Sequence, residues 1–348
     1  MRKFRNGLLF QIGLLWSLVT LLFLLFRLLG DPSRMIAGQR SDAGTLASIR
    51  KQYHLDDPIG IQYLSYLNDL SPISINGIHH KPSVPFTWII KLKSRGVMIK
   101  YPDLGFSFQT RRPVIYLILE RLPGTLILAI SSMVMALGIG IPSGIIAALS
   151  FGRWPDRILS VIAMLGVSAP SFVVAIGLIW AFAIYLGSNT GLPMTGFLWE
   201  ADIWTQGYIW NFSTLILPTL ALGLRPLSVI LQLTRSSMLE VLTLDYIRTA
   251  KAKGVNYFTI IFFHALPNAL NPVITAASGW FAALLSGVFF IELLFDWQGL
   301  GKLTVGALQQ SDFPLLMGCV LTVGIIFMVI QQGTDVLNYA LDPRQRKN

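Results

Sequence analysis

Few residues of this chain form a pattern that could carry out chemistry. The stretch Gly299–Leu303 contains a Gly-Lys pair like that of a phosphate-binding loop, but it lacks the first glycine at the required spacing and the hydroxyl residue that would bind magnesium. His79 and His80 are adjacent and have no patterned third ligand, which is more typical of a solvated turn than of a metal site. The sequence has no nucleophile elbow, zinc-protease motif or cysteine pair. We therefore expect no enzymatic activity, no metal site and no cofactor bound by this chain.

Arg225 is the one clear ionisable residue inside an apolar block, and Pro226 follows it directly. Because proline lacks an N–H and its ring clashes with the preceding turn, it frees a backbone carbonyl one turn earlier. The Arg225 guanidinium could satisfy that carbonyl, pair with a partner subunit, or face a polar pathway and attract a substrate carboxylate. Pro170 interrupts another apolar block, and such breaks are tolerated beside neighbouring helices or a water-filled cavity. Both residues are candidates for a translocation pathway.

The segment 235–268 has the most elaborate polar pattern between two apolar blocks. Asp245 is suited to cap a short helix, basic residues up to Lys253 suit its negative end, and Gly254 supplies a left-handed stop. A short exposed helix ended by a glycine turn fits a groove in a soluble partner. On these features alone, a basic loop that meets anionic lipid is the alternative.

The apolar blocks that surround these residues dominate the chain. Of 348 residues, 53% are hydrophobic and 13% charged, at a mean hydropathy of +0.62, whereas a soluble domain is about a quarter charged. The blocks are long enough to cross a hydrocarbon core of roughly 30 Å; they lie at about 8–26, 124–150, 158–186, 214–234, 269–291 and 315–337. We predict an all-α integral membrane protein with six transmembrane helices.

Basic residues in the short loops indicate how these helices are oriented. One side has the N-terminal Arg and Lys, Arg153 and Arg157, the basic residues of 235–268 and the C-terminal tail, whereas the alternate short loops contain only Lys302. The positive-inside rule therefore predicts that both termini are cytoplasmic. This asymmetry also accounts for the net charge of +10 without a nucleic acid partner. Since ionisable groups are scarce in the apolar blocks, an ion-coupled carrier or channel is disfavoured.

The segment around Gly254 resembles the Glu-Ala-Ala loop of ABC importer permeases. Counting from Gly254 places the triplet at 248–250 and the closing Leu-Pro at Leu266 and Pro267, although Arg248 and His264 replace the usual Glu and Ile. The chain is most similar to the oligopeptide and dipeptide branch, and the stretches that carry this resemblance are Gly30–Pro32, His54–Pro58, Glu120–Thr125, Ala169–Phe172, Leu233–Leu239, Trp297–Gly301 and Leu341–Arg344. The resemblance covers almost the whole chain, and extra sequence at about 71–101 is its visible departure.

The resemblance implies a permease subunit of a binding-protein-dependent, type I importer in the cytoplasmic (inner) membrane of a bacterium. The implied partners are a second, homologous permease, two cytoplasmic ATPases that use ATP and Mg, an extracytoplasmic substrate-binding protein and membrane lipid. The implied substrates are di- and oligopeptides, with nickel, glutathione and oligosaccharides as alternatives. The implied ATPase-coupling residues are Asp245, Tyr246, Arg248, Thr249, Ala250, Lys251, Ala252, Lys253, Gly254, Leu266 and Pro267.

This interpretation of the sequence divides the chain into four predicted parts. An N-terminal transmembrane helix (1–30) precedes a small, partly helical extracytoplasmic insertion (31–112) between helices 1 and 2. A five-helix permease core (113–340) contains the cytoplasmic coupling loop 235–268, and a cytoplasmic tail (341–348) ends the chain.

Overall fold

The computed structural model describes residues 2–28, 42, 44, 47, 50, 56–77, 82, 84–91, 95–201 and 208–341. Two compact units share the chain: Met1–Leu122 with Leu303–Ile325, and Pro123–Lys302 with Ile326–Asn348. The predicted turn at His79 and His80, most of 29–55 and the tail after Leu341 lie outside the described residues.

Helices account for most of the described chain. They are α1 (Arg2–Leu28), α2 (Ile59–Leu70), α3 (Val114–Leu149), α4 (Trp154–Ser168), α5 (Ser171–Leu178), α6 (Gly187–Thr190), α7 (Ser213–Leu242), α8 (Asp245–Ala252), α9 (Tyr257–Thr259), α10 (Leu266–Leu294), α11 (Leu300–Gln309) and α12 (Phe313–Leu341). Two π-helical segments, Ile179–Tyr185 and Ile260–Ala265, follow α5 and α9.

Four helical stretches among the described residues are long and apolar enough to cross a membrane: Val114–Leu149, Ser213–Leu242, Tyr257–Leu285 and Phe313–Val336. A fifth candidate is the pair Trp154–Ser168 and Ser171–Tyr185, which is bent by 109°. The predicted span 158–186 is thus divided at Ala169, because a residue that precedes proline avoids the helical conformation. In α1, the shorter apolar stretch Phe10–Leu25 lies within the described residues, and the count of six crossings stays a prediction.

Two small antiparallel sheets depart from the all-α prediction. In the first unit, β1 (Ile73–Gly77), β2 (Phe86–Lys91) and β3 (Arg95–Lys100) pair in the order β1-β3-β2. In the second unit, β4 (Trp199–Ala201) pairs with β5 (Tyr208–Trp210). Strand β1 forms its backbone hydrogen bonds with β3, a later segment of the chain. The residues around β1 therefore do not predict a strand by themselves.

The first unit is held by an apolar cluster and a buried carboxylate. Val19 and Leu22 of α1 pack against Met317 and Leu321 of α12. Asp312, which directly precedes α12, is almost fully buried and accepts hydrogen bonds from the Ser107 hydroxyl and from the N–H groups of Phe108 and Leu315. The carboxylate therefore fastens the segment before α3 to the start of α12.

The second unit has its core where α7 packs against α10. Helix α3 also approaches α7 closely, because a Cβ placed on Gly144 would lie only 2.5 Å from Cβ of Thr234. A Cβ on Gly140 would lie 2.9 Å from Ile230. These glycines allow the two backbones to approach more closely than larger residues would permit.

Candidate coupling site

Helix α8 forms where the sequence predicts it, but Asp245 has a different role from the predicted cap. Leu244 is the N-cap residue, and its extended backbone precedes Asp245, the first helical residue. The Asp245 carboxylate still lies at the positive end of the helix, where an anion is favourable. It pairs with Arg248 at 3.4 Å, and both side chains are exposed, so this pair contributes little to stability.

The end of α8 forms the predicted left-handed stop. Gly254 has φ +74°, a conformation that costs other residues energy. The Gly254 N–H donates to the Lys251 carbonyl at 3.0 Å, and the Val255 N–H donates to the Ala250 carbonyl at 3.2 Å. These two bonds are the Schellman pattern of a helix that ends in glycine, and the prediction for Gly254 is confirmed.

One side chain of α8 anchors the helix to the rest of the second unit. Ile247 is fully buried in an apolar cluster. The other buried members of this cluster come from α3, α7, the second π-helical segment and α10: Ile145, Ala148, Met238, Val241, Ile260, Ile261, Ala265 and Ala269. A displacement of α8 must therefore move or deform the ends of three long helices, since close-packed interiors transmit strain.

Polar contacts tie α8 to the start of α10. The Asn268 amide donates to the Tyr246 hydroxyl at 3.0 Å and to the His264 carbonyl at 3.0 Å. The Tyr246 hydroxyl in turn donates to the His264 carbonyl at 3.3 Å. Leu266 begins α10 and packs against the cluster around Ile247. The structure thus brings α8 next to the Leu-Pro pair, and we refer to residues 245–268 as the hairpin.

The remaining surface of the hairpin is exposed and basic. The exposed residues among those predicted to couple are Asp245, Tyr246, Arg248, Thr249, Lys251, Ala252, Lys253, Gly254 and Pro267, while Ala250 and Leu266 are half-buried. Exposed aromatic side chains follow at Tyr257, Phe258, Phe262 and Phe263. Sequence reasoning did not single out these aromatics, although their density in a polar loop was a usable signal. A basic and aromatic surface of this kind is suited to a protein partner.

An ion pair next to the hairpin was also missed. Arg235, which the sequence places in the loop, lies inside α7. Its Nε and Nη2 atoms donate to the Asp156 carboxylate at 2.5 and 2.9 Å. Asp156 is almost fully buried and also accepts from the Gly152 N–H at 2.9 Å. This bidentate pair fastens the start of α4 to α7.

The two predicted pathway residues lie in different surroundings. Arg225 is exposed on α7, and its guanidinium carbon lies 5.8 Å from the centre of the Trp280 ring of α10. Helix α7 continues through Pro226. Pro170 is exposed and directly precedes α5, at the 109° bend. Within the described residues, no hydrogen bond, ion pair or ring contact joins Pro170 to Arg225.

A buried carboxylate that sequence reasoning did not single out lies at the other end of α10. Glu292 is fully buried; it accepts from the Thr125 hydroxyl at 2.6 Å and from the Lys302 N–H at 3.0 Å. The Trp297 indole N–H donates to the Gly124 carbonyl at 2.9 Å. We refer to Gly124, Thr125, Glu292, Trp297 and Lys302 as the carboxylate cluster. It corrects the expectation that Arg225 alone is ionisable within the apolar helices.

The Gly-Lys fragment belongs to this cluster. Its glycines surround the Glu292 side chain, and a Cβ on Gly301 would lie 2.9 Å from a carboxylate oxygen. Backbone N–H groups at the start of α11 therefore hold an anion, as helix N-termini do, and that anion is the chain's own carboxylate.

Comparison with known proteins assigns the family. Residues 140–347 match the family described as binding-protein-dependent transport system inner membrane component, and residues 4–80 match its N-terminal membrane component. Glutathione transport system permease proteins GsiC are similar along almost their whole length. The protein from Escherichia coli (strain K12) is 36% identical over 336 residues, covering 96% of this chain and 95% of its own. That from Salmonella choleraesuis is 36% identical over 339 residues, covering 96% of both.

A solved structure supports the same fold. The inward-facing MetNI methionine ABC transporter is similar over 66% of this chain and 97% of its own, at a TM-score of 0.52 and 18% identity. The chain belongs to the binding-protein-dependent transport system inner membrane component family: it is a permease subunit of an ABC importer of type I. The family is one of inner membrane components, and several helices of this chain are long and apolar enough to cross a membrane.

Proposed function

We propose that this permease imports small peptides across the cytoplasmic membrane, with glutathione as the first substrate to test. The support is the similarity to glutathione transport system permeases over 96% of the chain, together with the resemblance of its motifs to the peptide branch. Glutathione is itself a tripeptide, so the two lines of support agree in chemical class. Longer peptides, nickel and oligosaccharides are the alternatives that a transport assay separates.

The observation that carries the mechanism is the position of Ile247. This side chain is fully buried among residues of α3, α7 and α10, while the basic face of the same short helix is exposed. We propose that an ATPase subunit binds the exposed face and that nucleotide-driven closure of the ATPases moves α8. Because Ile247 links α8 to three long helices, the movement would shift the permease between inward-open and outward-open states.

The proposed assembly contains more than this chain. A second, homologous permease would complete the pathway, the ATPases would hydrolyse ATP with Mg at the cytoplasmic face, and a binding protein would deliver substrate from outside. Both termini and the hairpin would then be cytoplasmic, as the basic loops predict. A cysteine placed at Thr249 should react with a membrane-impermeant reagent only after the cells are opened; reaction in intact cells would contradict this topology.

Transport by the assembled complex tests the proposal. The chain, its second permease, the ATPases and the binding protein are reconstituted in proteoliposomes and supplied with radiolabelled glutathione, a dipeptide, a pentapeptide or nickel. We expect ATP-dependent uptake of glutathione at least tenfold above that of nickel. Uptake of nickel alone would overturn the substrate proposal. Uptake driven by an ion gradient without ATPases would overturn the mechanism.

A substitution on the half-buried face of α8 tests the coupling separately. Ala250→Glu places a bulky acid beside the cluster around Ile247, where Ala250 packs. We expect insertion to persist while uptake and ATPase binding are lost, because α8 can no longer seat against the cluster. Ala250→Ser is the matched control and should retain both activities. Normal uptake by Ala250→Glu would contradict the coupling role.

A further inference from the structure

An exposed polar face runs along α7 within the membrane-spanning stretch. Arg225, Gln232 and Ser236 are exposed and recur at helical spacing, so they lie on one side of the helix. Leu227 and Ile230, in contrast, are buried in the core of the second unit. A charged side chain against lipid in mid-membrane costs at least about 2.5–3.5 kcal/mol. This face is therefore directed to water or to protein rather than to lipid.

A second set of exposed polar residues runs along α10. Asn268, Asn271 and Thr275 are exposed at helical spacing. Helix α10 packs against α7, and the contact at 5.8 Å between the Arg225 guanidinium and the Trp280 ring joins the two helices at one level. Trp280 and the buried core positions of α10 lie on the opposite side of that helix from Asn271, so the polar face of α10 does not meet that of α7.

The contact between Arg225 and Trp280 lies near the middle of the membrane. At 1.5 Å per residue, Arg225 is roughly 18 Å along α7 from Ser213 and roughly 25 Å from Leu242, and Trp280 is roughly 21 Å along α10 from either end. A hydrocarbon core is about 30 Å thick. The guanidinium is thus held deep in the membrane, well away from the hairpin.

We infer that the polar face of α7 lines the substrate route and that Arg225, supported by Trp280, forms a subsite for a substrate carboxylate. The inference rests on the proposed function, because every small peptide with a free C-terminus carries such a group. A guanidinium binds a carboxylate through two parallel N–H donors, and an aromatic face beneath it limits its orientations. Within the part of the chain that the structure describes, Arg225 forms no ion pair with a carboxylate, so its donors remain for a ligand.

Cysteine labelling tests whether the polar face of α7 is exposed to water. In a chain carrying Cys319→Ala, which removes the single native cysteine, Gln232→Cys and Ser236→Cys are introduced separately and the assembled complex is placed in nanodiscs. A charged, water-soluble thiol reagent should label both at least tenfold faster than Val134→Cys. Val134 is the matched control, since it is apolar and exposed on α3. Equal, slow labelling at all three positions would overturn the inference.

Protection by substrate tests the carboxylate subsite. Val229→Cys lies one turn from Arg225 on the same face. The probe is S-methylglutathione, which has no thiol to consume the reagent. It should slow labelling at Val229→Cys at least threefold, whereas its derivative with both carboxylates as amides should not, and Arg225→Gln should abolish the protection. Protection that is equal for acid and amide, or that survives Arg225→Gln, would overturn the subsite.

Uptake separates failure of this inference from failure of the proposed function. Arg225→Gln should lower glutathione uptake by about tenfold and Arg225→Lys by less, whereas Arg157→Gln, an equal loss of charge at another exposed arginine, should change it less than twofold. Loss of the second permease from purified Arg225→Gln complex would show instead that Arg225 pairs with that subunit, and would overturn the inference. Absence of glutathione uptake by the unmodified complex would overturn the proposed function itself.

Discussion

The two ends of helix α10 use polar residues in opposite ways. At its start, the hairpin exposes charged and aromatic side chains and buries Ile247, Ile260 and Ile261. At its end, roughly 40 Å away at 1.5 Å per residue, the carboxylate cluster buries Glu292 completely and satisfies it with donors from α3 and α11. One end has polar groups available to a partner, and the other has already satisfied its polar groups internally.

Because of this difference, the effect of a substitution on ATPase coupling can be separated from its effect on folding. Substitution of an exposed hairpin residue changes what a partner can bind but removes few internal contacts, so the fold should persist. Substitution in the carboxylate cluster leaves buried donors without an acceptor, so the fold should weaken first. Each prediction below is therefore read with two measurements: stability, from the temperature at which buried Cys319 becomes reactive to a thiol dye, and ATPase binding, from recovery of the complex.

Loss of the buried carboxylate should have the largest effect. Glu292→Ala leaves the Thr125 hydroxyl and the Lys302 N–H without their acceptor and opens a cavity. We expect the free energy of unfolding to fall by about 3–5 kcal/mol. Asp245→Ala, which removes an exposed carboxylate from the hairpin, should change it by less than about 0.5 kcal/mol. If Cys319 became reactive at the same temperature in both variants, the proposed difference between the carboxylate cluster and the hairpin would be wrong.

Substitution of a glycine that packs against the Glu292 side chain should have the next largest effect. In Gly299→Ala, the new methyl group would overlap the Glu292 carboxylate, and the network would have to shift at a cost of about 2–3 kcal/mol. Gly138→Ala is the matched control, because no atom lies within 4 Å of a Cβ at that position, and it should be neutral or slightly stabilising. If Cys319 became reactive at the same temperature in Gly299→Ala as in the unmodified chain, the space around Glu292 would be larger than described.

The left-handed turn that ends α8 should accept only some residue types at position 254. Substitutions there should disturb the end of α8 and leave the rest of the fold intact. Gly254 has φ +74°, so Gly254→Val costs about 1–2 kcal/mol in the end of α8, which should lower ATPase recovery about fivefold to thirtyfold. Gly254→Asn should retain most of the recovery, since Asn tolerates this conformation. The reactivity temperature of Cys319 should change little in either variant. Similar recovery of both variants would show that the turn conformation is not what the ATPase needs.

Removal of one charge from the hairpin should have the smallest effect. Lys251→Ala should weaken ATPase binding by about twofold to fivefold, more at low salt than at high salt, because exposed charges act mainly through screened electrostatics. Its thermal stability should match the unmodified chain. Arg157→Ala serves as control for the loss of one basic residue elsewhere. Unequal stability of Lys251→Ala and the unmodified chain would show that this residue supports the fold and not only an interface.

Some features of the hairpin could be predicted because their causes are local. A glycine after a run of helix formers indicates a left-handed stop, and Gly254 has that conformation. Asp245 was misplaced by one position, since Leu244 provides the extended residue before the helix. Arg235 was assigned to the loop because hydropathy falls there. In the structure α7 continues to Leu242, and Arg235 pairs with the buried Asp156, which is 79 positions away in the sequence.

The sequence by itself determined that this chain is a membrane permease of helices, and it located the helix that a partner is expected to bind. Hydropathy, charge asymmetry and turn residues act over a few neighbours, so they can be read without coordinates. Only the tertiary structure decided which polar groups are buried and which are available. Glu292 lies one residue beyond the predicted span, and its acceptor role depends on Thr125, 167 positions away. Burial of a polar group is settled by partners distant in sequence, and no local pattern contains them.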